Sequence, residues 1–167
     1  MKSVIELMNK AQYYEAKALF DKLSEAKQRD LLIEEANLTD NICVLGFVEF
    51  LISLDNTSYN HMLAAEVLIQ MCWLTGAYDI AFYHAREMYR INPDTDAEKF
   101  LLFFYDLPEA IMTEEYALEI AKNILRTDPD YGPAKKNNSK LQIARGLRYR
   151  SPLLFISHFK RHYNSEC

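Results

Sequence analysis

The sequence has few of the residues that end helices and form tight turns. It contains only 4 glycines and 5 prolines in 167 residues, too few for the many turns of an all-β fold. Half of the residues are hydrophobic, which excludes a disordered chain because a core can be buried. Long stretches without glycine or proline favour helices. The composition therefore predicts an all-α protein, and the length suits one domain.

Long apolar runs are also missing. The longest, Ile42–Leu54, has 13 residues and is interrupted by Glu49, whereas a membrane-spanning helix needs about 20 apolar residues. Near the start of the sequence, Glu6 prevents the apolar segment of a secretory signal from forming. Cysteines are few, odd in number and without CxxC spacing, which predicts reduced thiols: Cys43, Cys72 and Cys167. We therefore expect a cytoplasmic protein that does not interact with membranes.

Positive charge is missing from one long segment. Between Asp30 and Ala85 there is no Lys or Arg, but there are 8 Asp and Glu residues. Residues 131–167 show the reverse, with 8 Lys and Arg against one Glu, while the other 130 residues carry 11 basic and 23 acidic side chains. A solvated acidic surface is the simplest explanation. Such a one-sided field also favours a basic partner, although it does not determine the fold.

Motifs for catalysis or ligand binding are missing too. No glycine-rich loop precedes a helix, and no G-x-S-x-G elbow occurs. Adjacent acids such as Glu114 and Glu115 diverge by about 100° on a helix. His158 and His162 share a helix face, but only the terminal Glu166 and Cys167 accompany them as possible further ligands, so we interpret the two histidines as surface residues of a basic helix. The sequence predicts no enzyme activity, no metal, no cofactor and no small-molecule ligand.

What the sequence does contain is a repeat of 36 residues. Residues 81–94, AFYHAREMYRINPD, match residues 117–130, ALEIAKNILRTDPD. In each copy two alanines four residues apart lie on one helix face, where their small size lets a neighbouring helix approach closely. The Asn/Asp-Pro-Asp ending stops this helix and prepares the first turn of the next. A weaker copy lies at residues 11–23.

The repeat resembles a known family. Gly76, Tyr78, Ala81 and Pro93 have the spacing of the second helix in a tetratricopeptide (TPR) repeat. The resemblance covers residues 62–94 well and is weaker elsewhere. It implies a right-handed solenoid of antiparallel helix pairs. We treat residues 1–167 as one TPR-like domain in which residues 131–167 form a basic cap.

The pattern of apolar residues and capping residues predicts the helices individually. Pro108 departs from the repeat and predicts that the seventh helix ends near Asp106. The predicted helices lie near residues 2–9, 12–23, 25–37, 40–54, 59–75, 78–91, 94–105, 114–127, 133–148 and 151–163.

The family resemblance also implies a binding surface. In TPR-like proteins the first helices of successive pairs line a concave groove that binds another protein. Carried over to this sequence, that geometry places four residues at the groove: Leu63, Glu66, Gln70 and Trp73. Trp73 is of the type that dominates interfaces, although a core position explains a large aromatic equally well. We add Glu34 and Glu35 from the acidic segment as partner-binding candidates.

The predicted function is stoichiometric binding of another protein, without catalysis. The acidic segment points to a basic partner. Bacterial toxin-immunity proteins are often small and acidic, so neutralising a basic nuclease toxin fits this character, and an adaptor or regulatory role fits nearly as well. A third possibility is nucleic-acid binding through the basic C-terminal segment, by Lys135, Lys136, Arg148 and Arg150. The acidic remainder of the chain opposes it.

Overall fold

The computed structural model describes residues 3–109 and 111–139. These residues form helices and turns without a β-strand, which confirms the all-α class. No helix among them is long and apolar enough to cross a membrane. The chain divides into two compact units, residues 1–92 and 93–167, while the single domain stays a prediction. The helix predicted at 151–163 and most of the basic cap lie outside the described residues.

The first unit contains six helices. Their bounds agree with the predicted ones to within a few residues, except that the fifth was expected to continue to residue 75. It ends at Gln70, and a turn follows up to Gly76, whose φ of +82° lies in the left-handed region that favours glycine. The helices are α1 (Val4–Met8), α2 (Tyr13–Phe20), α3 (Glu25–Thr39), α4 (Ile42–Leu54), α5 (Ser58–Gln70) and α6 (Ala77–Ile91).

Neighbouring helices of this unit pack on one another, and α1 to α5 share one hydrophobic core. α1 packs on α2, α5 packs on both α4 and α6, and α3 also contacts α5. The Tyr59 hydroxyl donates to the Glu25 carbonyl, and Arg29 binds Glu66 further along. Because these contacts follow the same order on both helices, α3 and α5 run in the same direction. The largest fully buried core side chains of the unit are Phe47, Met8, Leu32, Leu63, Leu68 and Met71.

The middle of α4 contains Gly46, where the side chain of Tyr13 approaches the helix too closely to leave room for a Cβ atom. A Cβ at this position would lie 2.6 Å from the Tyr13 hydroxyl oxygen and 3.6 Å from the ring carbon that bears this hydroxyl. The Tyr13 ring is itself held between Phe47 and Phe50, at centroid distances of 5.8 and 5.5 Å. An added methyl group therefore has to displace a packed phenol.

This contact predicts that Gly46→Ala raises or lowers the free energy of unfolding depending on whether the Tyr13 hydroxyl is present. Alanine normally stabilises a helix interior by roughly 0.5–1 kcal/mol relative to glycine, but the clash should turn this into a loss of about 1 kcal/mol. With the hydroxyl removed by Tyr13→Phe, the same change should stabilise. Urea unfolding of the two single variants and the double variant measures the coupling. An effect of the same sign in both backgrounds would contradict the prediction.

The second unit contains α7 (Thr95–Phe103) and α8 (Glu114–Thr127), which pack on each other, and residues 132–139 are also helical. The Asp94 carboxylate caps α7 by accepting from the Ala97 amide at 2.8 Å. α7 ends three residues before the predicted Asp106, and turns follow up to residue 109. The early end of the seventh helix, which was predicted from Pro108, is therefore confirmed, although the helix ends slightly before the predicted residue.

The cysteines differ from one another. Cys43 is a half-buried free thiol, as predicted. Cys72 is disulfide-bonded, so the prediction of a reduced thiol is wrong for this residue. Cys167 lies outside the described residues.

Candidate protein-binding surface

One side of α3 is exposed and acidic. Leu32 and Ala36 are fully buried and fix which side of the helix faces the core. Asp30, Glu34 and Leu38 follow at intervals of four residues, so they lie along one side of the helix, and all three are exposed. We call these three residues the α3 face.

The apolar part of this surface is unusually open. Leu38 is 77% exposed, and Ile42, four residues later at the start of α4, is 57% exposed. Among the described residues, no hydrogen bond or ion pair holds the Glu34 carboxylate. An exposed leucine one helical turn from an unpaired carboxylate combines an apolar contact with a charged rim, which is the usual arrangement of a protein interface.

Glu35, the neighbouring candidate, has a structural role instead. Its Oε1 accepts from the Asn41 amide at 3.0 Å and from the Thr39 hydroxyl at 3.0 Å. Asn41 also caps α4, since its Oδ1 accepts from the Cys43 amide, and it donates to Asn9 at 2.6 Å. Glu35 thus fixes the turn from α3 to α4, in which Asp40 has a positive φ of 50°.

Glu66 is also engaged within the chain. Arg29 donates to both of its carboxylate oxygens, from Nε at 2.6 Å and from a terminal nitrogen at 2.7 Å. This hydrogen-bonded pair raises the pKa of Arg29 above its usual value. The pair joins α3 to α5, and Glu66 is therefore not a free anion for a partner. The sequence did not indicate this ion pair. The acidic segment between residues 30 and 85 contains no Lys or Arg, and the cation that binds Glu66 comes from residue 29, just before it.

The other three groove candidates lie in different environments. Leu63 is fully buried in the core, which corrects its assignment to an accessible groove. Gln70 is half-buried at the last position of α5. Trp73 lies in the turn between α5 and α6 and is 51% exposed, so it is not a core residue. Of the six candidates, Glu34, Gln70 and Trp73 keep a surface available.

A shallow cleft of about 340 Å³ adjoins the start of α3, where α2, α4 and α5 also meet. The carboxylates of Asp21, Glu25 and Asp55 line it, and Lys17 is bound to Asp21 at 2.6 Å. Burial, followed by the nearby Glu25 and Glu66, raises the pKa of Tyr59 in this cleft to about 12. The negative potential of the first unit thus extends beyond the α3 face.

The basic candidates for nucleic-acid binding are only partly described. Lys135 is paired with Asp130 at 2.7 Å, and Lys136 lies 3.9 Å from Asp106. Both lysines therefore have an acidic neighbour in their own unit. Arg148 and Arg150 lie outside the described residues, as do His158 and His162.

Sequence reasoning missed two features of the first unit. The exposure of Leu38 could have been found, because position 38 is about 200° around the helix from the buried Ala36. His61 and His84 are 3% exposed and hydrogen-bonded to each other. No spacing rule connects two residues on different helices. Comparisons with models of protein families, with curated proteins and with solved structures found no match to this chain.

Proposed function

We propose that this protein is a TPR-like helical-repeat protein that binds a basic protein stoichiometrically, without catalysing a reaction. The observation that carries the proposal is the α3 face, where the exposed Leu38 lies one helical turn from the unpaired Glu34 carboxylate, and the exposed Ile42 follows at the start of α4. An acidic rim attracts a basic partner and selects its orientation. The apolar centre adds affinity because its surface is removed from water when the partner binds.

The arrangement of the helices supports the TPR-like part of the proposal. α3 and α5 run in the same direction, as successive first helices of a solenoid do, and α4 and α6 follow them as second helices. The matched alanines of α6 and α8 are fully buried, as the close packing of repeated helix pairs requires. A solenoid of this kind exposes the first helices as a continuous binding surface, and α3 is such a helix.

The test compares two charge reversals of equal size. Glu34→Lys alters the α3 face, whereas Glu119→Lys alters an exposed position on α8 in the second unit. Wild-type protein captures its partner from host lysate, and titration calorimetry with the purified partner gives stoichiometry and affinity. We expect a one-to-one complex that Glu34→Lys weakens by about tenfold or more, because a like charge then faces a basic surface. Glu119→Lys should change affinity less than about twofold.

The result that overturns the proposal is equal binding by the two variants, because the net charge changes by the same amount in both. Leu38→Ser supplies a second probe of the same surface without a change of charge, and it should also weaken the complex. Capture that disappears after nuclease treatment would instead support nucleic-acid binding through the basic C-terminal segment.

Two roles are compatible with such a complex. An immunity protein blocks its partner, so a captured nuclease would lose activity at one equivalent of this protein. An adaptor leaves the activity of its partner unchanged and binds a third component. We favour the inhibitory role because the acidic surface resembles, in charge, the substrate of a nuclease.

A further inference from the structure

Two histidines form a buried chain of hydrogen bonds in the first unit. The Nδ1 atoms of His61 on α5 and His84 on α6 lie 2.9 Å apart. Nε2 of His84 is 3.0 Å from a carboxylate oxygen of Glu49 on α4, and Nε2 of His61 is 2.7 Å from the side-chain oxygen of Asn56. Both imidazoles are buried, whereas Glu49 and Asn56 are exposed. The chain connects α4, the following turn, α5 and α6.

The number of protons in this chain is set by its hydrogen bonds. Three bonds require three hydrogens, and the terminal oxygens of Glu49 and Asn56 can only accept. Two neutral imidazoles supply one N–H each, which leaves one bond without a hydrogen. The geometry is satisfied when the pair holds one additional proton, whose charge the Glu49 carboxylate balances.

We propose that His61 and His84 together hold a single proton in the folded protein, and that this proton couples α4, α5 and α6 in a pH-dependent manner. When the proton leaves, one of the three bonds is lost unless Asn56 rotates its amide and donates to His61. The turn that contains Asn56 therefore changes its hydrogen bonding with pH.

The charges around the pair support one proton rather than two. The hydrogen bond with His84 holds the pKa of Glu49 below its usual value, so this carboxylate is ionised. Burial, followed by the charge of His84, holds the pKa of His61 below its usual value. If the pair held two additional protons, both imidazoles would be cations in contact with each other, and their repulsion would disfavour that state.

Other charged groups near the pair are already matched. On α6, Glu87 and Arg90 approach His61 and are bound to each other at 2.8 Å. On the α3 side of α5, the charged groups are Arg29 and Glu66, which form their own pair. In the described ranges, no group of three or more His, Cys, Asp and Glu side chains is arranged to hold a metal ion. Protonation is therefore the chemistry that these contacts support.

The direct test is an NMR titration of the histidine ring nitrogens in the intact protein. We expect the two rings to change together in one step for one proton, because they share it. Where the folded pair still holds this proton and the unfolded chain has released its own, folding takes up a proton. In that pH range the folding equilibrium constant should fall by up to about tenfold per pH unit as the pH rises.

Variants at the exposed ends of the chain test the bonding without disturbing the core. Glu49→Gln should lower the midpoint by about one unit because it removes the balancing charge. Asn56→Asp should raise it, because a carboxylate can only accept and adds a second negative charge. Glu87→Gln is the control, since Glu87 bonds to Arg90 and to neither imidazole, and it should shift the midpoint less than Glu49→Gln.

The proposal fails if the two rings titrate independently of each other. It also fails if, down to the lowest pH at which the protein stays folded, the ring nitrogens of wild-type protein show two neutral imidazoles with Nε2 of His61 unprotonated. That pattern would mean that the Asn56 amide is already the third donor. Equal shifts from Glu49→Gln and Glu87→Gln would likewise overturn the assigned hydrogen bond from His84.

Discussion

Replacing Phe47 with alanine is expected to lower the free energy of unfolding by about 3–5 kcal/mol. Phe47 is fully buried in α4, and its ring contacts the rings of Tyr13 and Phe20 on α2 at centroid distances of 5.8 and 5.3 Å. Removing the ring takes away its burial and its edge contacts and leaves a cavity that a helix junction cannot close. The cost should therefore exceed that of any other single substitution considered above.

The measurement is urea unfolding followed by the fluorescence of Trp73, the sole tryptophan, which lies in the same unit as Phe47. Circular dichroism recorded on the same samples checks that helix content is lost in the same transition. Phe103→Ala is the control, because the Phe103 side chain is 43% exposed in α7, and it should cost about 1 kcal/mol or less. Similar losses for the two phenylalanines would show that the α2–α4 junction is not a tightly packed core.

The sequence predicted the helices well because their ends are determined locally. Thr57, Asp94 and Thr113 each cap the helix that follows by accepting a hydrogen bond from a backbone amide three residues later. Such caps depend only on the neighbouring residues, so they can be recognised without a structure. The last turn of α5 is an instructive failure, because Cys72 and Trp73 continue the apolar pattern while the helix has already ended at Gln70.

The candidate surface was predicted less well, because exposure depends on contacts between distant residues. Glu66 was expected to face a partner, but Arg29, 37 residues earlier, binds it. Leu63 was expected in a groove, but it lies among the fully buried Ala64, Ala65 and Val67, on a helix without a clearly polar side. Glu34 does lie on the surface, but it was chosen from the acidic composition of residues 30–85 and not from periodicity, because α3 separates its apolar and polar residues no better than α5 does. Periodicity identifies a face only where the apolar residues of a helix lie on one side.

The histidine pair could not have been predicted by any of these rules. His84 precedes Ala85 in the repeated helix, and the matching position in the second copy is Ile120, which is also buried. At a position where the repeat requires an apolar residue, a histidine needs hydrogen-bond partners inside the protein. A polar residue at a repeated core position is therefore a signal for which a sequence can be searched, although it does not identify the partner.

Enlarging the matched alanines should destabilise both copies of the repeat to a similar extent. Ala85 and Ala121 are fully buried at positions 36 residues apart. Leucine at either position adds volume where two helices are in close contact, and overpacking typically costs about 1–3 kcal/mol. The helix propensities of alanine and leucine are close, so the loss measures packing rather than helix formation.

Thermal and urea unfolding of Ala85→Leu, Ala121→Leu and the control Lys122→Leu test this equivalence. Lys122 is exposed on α8 beside Ala121, and leucine there should change the free energy of unfolding by no more than about 0.5 kcal/mol. If Ala85→Leu is costly while Ala121→Leu resembles the control, the second copy packs more loosely and the sequence match overstates the structural repeat. If both are costly, the alanine spacing has the same packing role in α6 and α8. The 36-residue match then reflects a repeated physical constraint, namely the short distance between paired helices.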